Sequence, residues 1–226
     1  MENNKFNLLS IVNTVAPSFE SIETEVSELK RSYASLNRHE LADKYANRLR
    51  SKYTSVGVAS ALPSVIPGVG TAVQLAVEAG TISGDLALML RWTAATCYGV
   101  AHIFEKDIRS EFNQEYVVVL GRWCGAIKIV KDASVRFGQK AGLSFVTKNI
   151  SGKVLREINK RVGFTLLTKF GTKRGGIALG KLIPFGVGAA ISGAFNFSTM
   201  SGFKKSAIEY FGDGDDAIYA VAEEVN

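Results

Sequence analysis

Two long stretches without charge limit what this chain can fold into more than any other feature. No Asp, Glu, Lys or Arg occurs from Tyr53 to Val77, and none occurs from Leu182 to Phe203. The two share their punctuation. Pro67-Gly68-Val69-Gly70 precedes Thr71-Ala72-Val73, and Pro184-Phe185-Gly186-Val187-Gly188 precedes Ala189-Ala190. Proline suits the first turn of a helix, and glycine accepts the backbone geometry and close approach that such an entry needs. Pro67, Gly68 and Gly70, and again Pro184, Gly186 and Gly188, are therefore expected to be structural turns that lead into tightly packed helices. At about 1.5 Å per residue, either block could cross a hydrocarbon layer of roughly 30 Å. Against a clean span, both are rich in Ala, Gly, Ser and Val rather than Leu, and Pro63 adds a further break to the first. That composition suits close helix packing in water or in lipid. A buried core, a shallow or re-entrant membrane segment and a true span all stay open.

The rest of the chain reads as helix. Leu8 to Val15 is a short apolar run ended by Pro17, and Ser18 can cap the segment after it. Ile22, Val26, Leu29 and Tyr33 recur at three and four residues, so the spacing predicts an amphipathic helix over 19–35. Asn37 is placed to cap the next, whose stripe is Leu41, Tyr45, Leu49 and Lys52. A helix is expected from Thr71 to about Val100, and a second amphipathic one over 102–115, where Ile103, Phe104, Ile108 and Phe112 share a side. Val117-Val118-Val119 resembles a strand, but helical neighbours on both sides favour helix. Further helices are expected over 122–137, 151–168 and 182–211, with 169–176 as an exposed loop and a short last turn over 217–225. Nothing alternates strand with helix as an α/β fold does. The expectation is an all-α protein: a single multi-helix domain with two Gly/Ala-rich apolar blocks. It divides into N-terminal amphipathic helices (1–54), a helical core (55–211) and an acidic tail (212–226).

Charge is unevenly spread. From Arg122 to Tyr210 there are sixteen Lys or Arg and three Asp or Glu, whereas the tail beyond Tyr210 has five acids and no base. Such a basic half suits anionic lipid, an acidic partner or nucleic acid. Its aromatic residues do not alternate with the bases as a stacking platform would require, which places nucleic acid behind lipid or a membrane protein. Arg122, Lys128, Lys131, Lys169, Lys173, Arg174 and Lys181 are the candidate contacts. Two cysteines, Cys97 and Cys124, in apolar surroundings fit a reducing compartment. The Leu8–Val15 run is short and interrupted by Asn13 and Thr14, unlike a signal peptide. The expected location is the cytoplasm, including the inner face of the membrane.

Residues that could carry a reaction are few. Thr71, Gln74, Glu78 and Asp85 fall near one helical face, because seven residues make almost two turns. Glu78 and Asp85 amid apolar neighbours could hold an ion pair, a proton or a metal, or could simply face solvent. No Cys/His spacing suggests zinc, Gly68-Val69-Gly70-Thr71 lacks the Lys-Ser/Thr of a phosphate loop, and no serine sits in G-x-S-x-G. No cofactor is called for.

Several of these residues together resemble the EcsC protein family, bacterial proteins with an all-helical domain. The residues that carry it are Leu62-Pro63, Pro67-Gly68-x-Gly70, Glu78, Asp85, Cys97-Tyr98-Gly99-Val100, Leu182-Ile183-Pro184-Phe185-x-Val187-Gly188-Ala189, Asn196-Phe197 and Ala207-Ile208-x-Tyr210-Phe211. They span roughly residues 55 to 211. The resemblance implies an all-helical bacterial protein linked by name to a transporter operon, with no assigned reaction. The expected function is non-enzymatic association with anionic lipid or a membrane protein through the basic half. Two alternatives stand beside it: a membrane-permeabilising, toxin-like protein, and a lipid-directed hydrolase or metal enzyme using Glu78 and Asp85.

Overall fold

Side chains visible in the sequence set the helix starts. The computed structural model describes residues 8–59, 84–125, 127–130, 143–146, 187–212 and 218–222. Helix α1 (Leu8–Val15) stops short of Pro17, which disfavours helical geometry at the residue before it. Ser18 then caps α2 (Phe19–Ser32) by accepting the Ser21 N–H at 3.3 Å. Ahead of α3 (Arg38–Ala59), Asn37 and Glu40 form a reciprocal box. Asn37 Oδ1 accepts the Glu40 N–H at 3.0 Å, and Glu40 Oε2 accepts the Asn37 N–H at 2.9 Å. Two donors that the helix start would leave unpaired are thereby satisfied. The expected stripes are buried: Ile22, Val26 and Leu29 on α2, and Leu41, Tyr45 and Leu49 on α3. Tyr53 rather than Lys52 continues the second, while Tyr33 stays exposed.

Helix α4 (Gly84–Ile103) and helix α5 (Phe112–Trp123) are joined by a turn. The helix expected over 102–115 is therefore corrected. The Glu105 N–H bonds His102 O at 3.2 Å and the Lys106 N–H bonds Ala101 O at 2.9 Å, with Glu105 at φ 61. This is the usual helix-ending arrangement, with glutamate where glycine is preferred. Ile103, Phe104, Ile108 and Phe112 are all buried, so the turn keeps the apolar side that mimicked a helix. Tyr116 to Leu120 is helical and fully buried, as its neighbours predicted.

Helix α6 (Val187–Gly212) lies along α3, its most extensive neighbour, and also touches α4 and α5. Met200, Phe203, Ala207 and Phe211 point into a core that the six described helices share. Two glycines allow backbones to come close. A Cβ on Gly99 would sit 2.2 Å from the Tyr45 ring, so α3 and α4 meet only because that position has no side chain. A Cβ on Gly202 would lie 3.0 Å from Trp123 Nε1, a tight α5–α6 approach. The described body is all-α, as expected. Helices α1, α2 and α3 share that core, and α3 runs through residue 54.

A small antiparallel sheet is attached to this body. Its strands β1 (Ile127–Val130), β2 (Leu143–Val146) and β3 (Ile218–Ala222) are ordered β1-β3-β2. Two expectations are corrected by it. The helix placed over 122–137 ends at Trp123 and gives way to β1, and the terminal helical turn is strand β3. Ile-Lys-Ile-Val and Ile-Tyr-Ala-Val-Ala are β-branched or apolar runs of strand length, and each finds a partner far away in sequence. Among the described residues, no helix is long and apolar enough to cross a membrane. The block over 53–77 lies largely outside them, but the second block enters α6, where Asn196, Thr199, Met200 and Phe203 are buried in the protein.

Candidate functional site

The structure separates the sequence-predicted residues into three groups. Pro67, Gly68, Gly70, Glu78, Lys131, Lys169, Lys173, Arg174, Lys181, Pro184 and Gly186 lie outside the described residues. Asp85 is the second residue of α4, Gly188 the second of α6, and Lys128 pairs with Ala220 in the β1–β3 ladder. Arg122 is the one candidate contact whose side chain is described, and it is not on the surface. Its side chain is 5% exposed, Nη2 donates to Glu209 Oε2 at 3.1 Å, and the guanidinium lies 5.9 Å from the Tyr210 ring centroid. Arg122 is thus corrected from a lipid or partner contact to a tie between α5 and α6. The pairing is what burial demands, since an uncompensated buried guanidinium is costly.

The densest polar cluster in the described body is one the sequence did not single out. Tyr98 Oη donates to Glu23 Oε1 at 2.5 Å, and Arg109 Nη2 donates to the same oxygen at 2.9 Å. Arg109 Nη1 also reaches Glu20 Oε1 at 3.2 Å. The hydrogen bond from Tyr98, joined by Arg109, holds the Glu23 carboxyl below the usual carboxylate range. Burial first, and Glu23 second, push the Tyr98 hydroxyl up. Phe19 packs on Tyr98 at 4.3 Å between centroids, and the His102 ring stacks on Tyr98 at 6.4 Å. The cluster fastens α2 to α4 and to the turn after it. Tyr98 could be picked out in sequence within Cys97-Tyr98-Gly99-Val100, but its partners lie about 75 and 11 residues away and meet it only through packing.

Within that four-residue motif each side chain, or its lack, now has a structural task. Cys97 is fully buried and burial pushes its thiol well up, which keeps it from being a thiolate nucleophile. Tyr98 binds Glu23, Gly99 admits Tyr45, and Val100 is buried. Of the later resemblance residues, Asn196 and Phe211 are buried, while Phe197 is 47% exposed with Arg50 stacked 4.0 Å above its ring. A second polar line runs along α5 and α6. Burial pushes the Glu115 carboxyl up, and Glu111 adds to the rise while a hydrogen bond with Tyr210 opposes it. Among the described residues, no group of three His, Cys, Asp or Glu is placed to hold a metal.

Pairing inside the body redistributes the charge that reaches outward. Of the sixteen bases from Arg122 to Tyr210, three lie on α5 or α6, and all three are engaged: Arg122 with Glu209, Lys204 with Asp43 at 2.5 Å, and Lys205 with Glu209 at 3.8 Å. The other thirteen fall within 128–181, against two acids, an excess of eleven positive charges. The whole chain carries +6, so everything outside 128–181 carries five more acids than bases. The described parts of this basic segment are β1 and β2, and both pair with the strand from the acidic tail. Compared with known proteins, the chain matches no protein-family model, no curated protein and no solved structure.

Proposed function

We propose that this protein acts by association, binding the anionic face of a membrane through the basic segment 128–181. The observation that carries the reading is the charge segregation: thirteen bases against two acids in that segment, on a chain whose remainder is net acidic. In the helical body, acids meet several of the bases, which agrees with this reading. Glu25 holds Arg48 at 3.4 Å and Lys52 at 2.8 Å, Arg109 is held by Glu20 and Glu23, and Arg38 by Glu105 at 2.6 Å. Each base near an anionic lipid surface contributes on the order of 1 kcal/mol, so a handful of the thirteen suffices for reversible binding. The resemblance to the EcsC family agrees with a bacterial protein at the cytoplasmic face, beside lipid or a membrane protein.

Fractionation of cells that make the full chain tests this. The reading expects the protein in the membrane pellet at low salt, released by a wash at about 0.5 M salt, where the Debye length is only a few Å. Resistance to both salt and carbonate would show that an apolar block enters the bilayer. Recovery wholly in the supernatant at low salt would sink the reading.

A further inference from the structure

The turn between α4 and α5 goes against the local signals of its own sequence. From Val100 to Leu120 there is neither glycine nor proline. Ile103, Phe104, Ile108, Phe112 and Tyr116 keep a helical spacing straight through it. Helices α2 and α3 each begin on a side-chain cap, from Ser18 and from Asn37, whereas Glu111 ahead of α5 makes no such bond. At the other end of the turn Glu105 takes the left-handed geometry at φ 61, and no other non-glycine residue does so among the described residues. Local preference over 84–123 is therefore for one continuous helix, about 60 Å long.

Tertiary contacts impose the bend, and the polar ones at the turn are weak. Arg38 holds Glu105 at 2.6 Å, and Arg109 meets Glu20 at 3.2 Å and Glu23 at 2.9 Å, but these side chains are between 32% and 70% exposed. The larger contact lies beyond the turn, where α6 runs along α3. Helix α5 is fastened to α6 by the Arg122–Glu209 pair at 3.1 Å and by Trp123 against Gly202, so the two form one unit.

We propose that this turn is a hinge through which two copies of the chain exchange α5 and α6. With α4 and α5 straightened into one helix, the α5–α6 unit of each copy packs on α3 and α4 of the other. The contacts of α5 and α6 with α3 and α4 are then remade between copies, and the balance rests on the turn. Opening regains helical bonds over 104–111 and relieves Glu105, while Phe104 and Ile108 fall where the two straightened helices meet and cover one another. A second copy is the partner that fits, since the same sequence supplies the same α5–α6 surface. Exchange does not depend on the association with lipid proposed above.

Light scattering of the full chain, refolded from urea at rising concentration, tests the hinge. The unaltered chain should form a dimer whose share grows with concentration. Glu105→Gly eases the closed turn and weakens the straight helix, so its dimer dissociation constant should rise roughly tenfold or more, each dimer having opened two such turns. Glu105→Ala keeps the left-handed cost, loses the Arg38 pair and favours helix, so its constant should fall. Exchange itself is read by mixing Asp43→Cys chains with Lys204→Cys chains before refolding. Asp43 and Lys204 meet across α3 and α6 at 2.5 Å, so a short bis-maleimide should join two copies in the mixture and far fewer in either variant alone. A chain that stays monomeric at every concentration would overturn the proposal. So would a dimer without that cross-link, or equal constants for Glu105→Gly and Glu105→Ala.

Discussion

Gly99 and Glu105 show how single positions set this fold. At Gly99 any side chain meets the ring of a buried Tyr45, whose hydroxyl is also fixed by a 3.3 Å bond to Ala95 O. Gly99→Ala must push α3 from α4, and is expected to cost about 1–3 kcal/mol in urea denaturation. Tyr45→Leu in the same chain should recover part of that loss, which would identify the ring as the obstacle. Glu105 is the opposite case, a non-glycine residue in the left-handed region at φ 61. Its ion pair with Arg38 joins two largely exposed side chains, so it offsets little of the backbone cost. Glu105→Gly should therefore raise stability by up to about 1 kcal/mol, whereas Glu105→Ala should not. Equal midpoints for the two variants would contradict the backbone account.

At the scale of elements, two carboxylates on helices α2 and α5 respond to pH in opposite senses. Glu23 is held below its ordinary value near 4.5, so its contribution is present above that value and is lost as pH falls through the depressed one. Glu115 is pushed above 4.5, so its contribution is present below 4.5 and is lost as pH rises through the elevated value. Glu115→Gln is therefore expected to raise Tm at neutral pH, and the gain should vanish below about pH 4 in a thermal melt series. A gain that persisted at low pH would assign the effect to packing rather than charge. Both helices could be read in the sequence, because Ile22, Val26 and Leu29 and the Tyr116–Leu120 run agree with their neighbours. The turn between α4 and α5 could not: Ile103, Phe104, Ile108 and Phe112 have helical spacing, and no glycine marks the left-handed residue. Strands β1 and β3 were hidden for another reason. Each is an apolar run of four or five residues, and only the partner some ninety residues away decides between helix and strand. The Tyr98–Glu23–Arg109 cluster was hidden likewise, since its members join only when α2 packs on α4.

The whole molecule combines a nearly neutral helical body with a segment that holds the chain's positive excess. Arg122 shows why a count of bases misleads: it belongs to the basic half by sequence and to the core by structure, paired with Glu209. The sequence points to lipid or an acidic partner through the same excess, and the helical body, with thirteen bases and twelve acids over 8–59, 84–125 and 187–212, adds little to it. Long-range attraction of this kind weakens steeply with salt and needs several bases at once. The most direct measurement is flotation of the full chain with anionic liposomes at low and high salt, beside a variant with Lys128, Lys131, Lys169, Lys173, Arg174 and Lys181 replaced by glutamine. The account predicts that the unaltered chain floats at low salt and sinks at about 0.5 M, and that the variant, left with seven of the thirteen bases, floats less at low salt. A chain that stays at the bottom of the gradient at low salt, or a variant that floats as well as the unaltered chain, would contradict it.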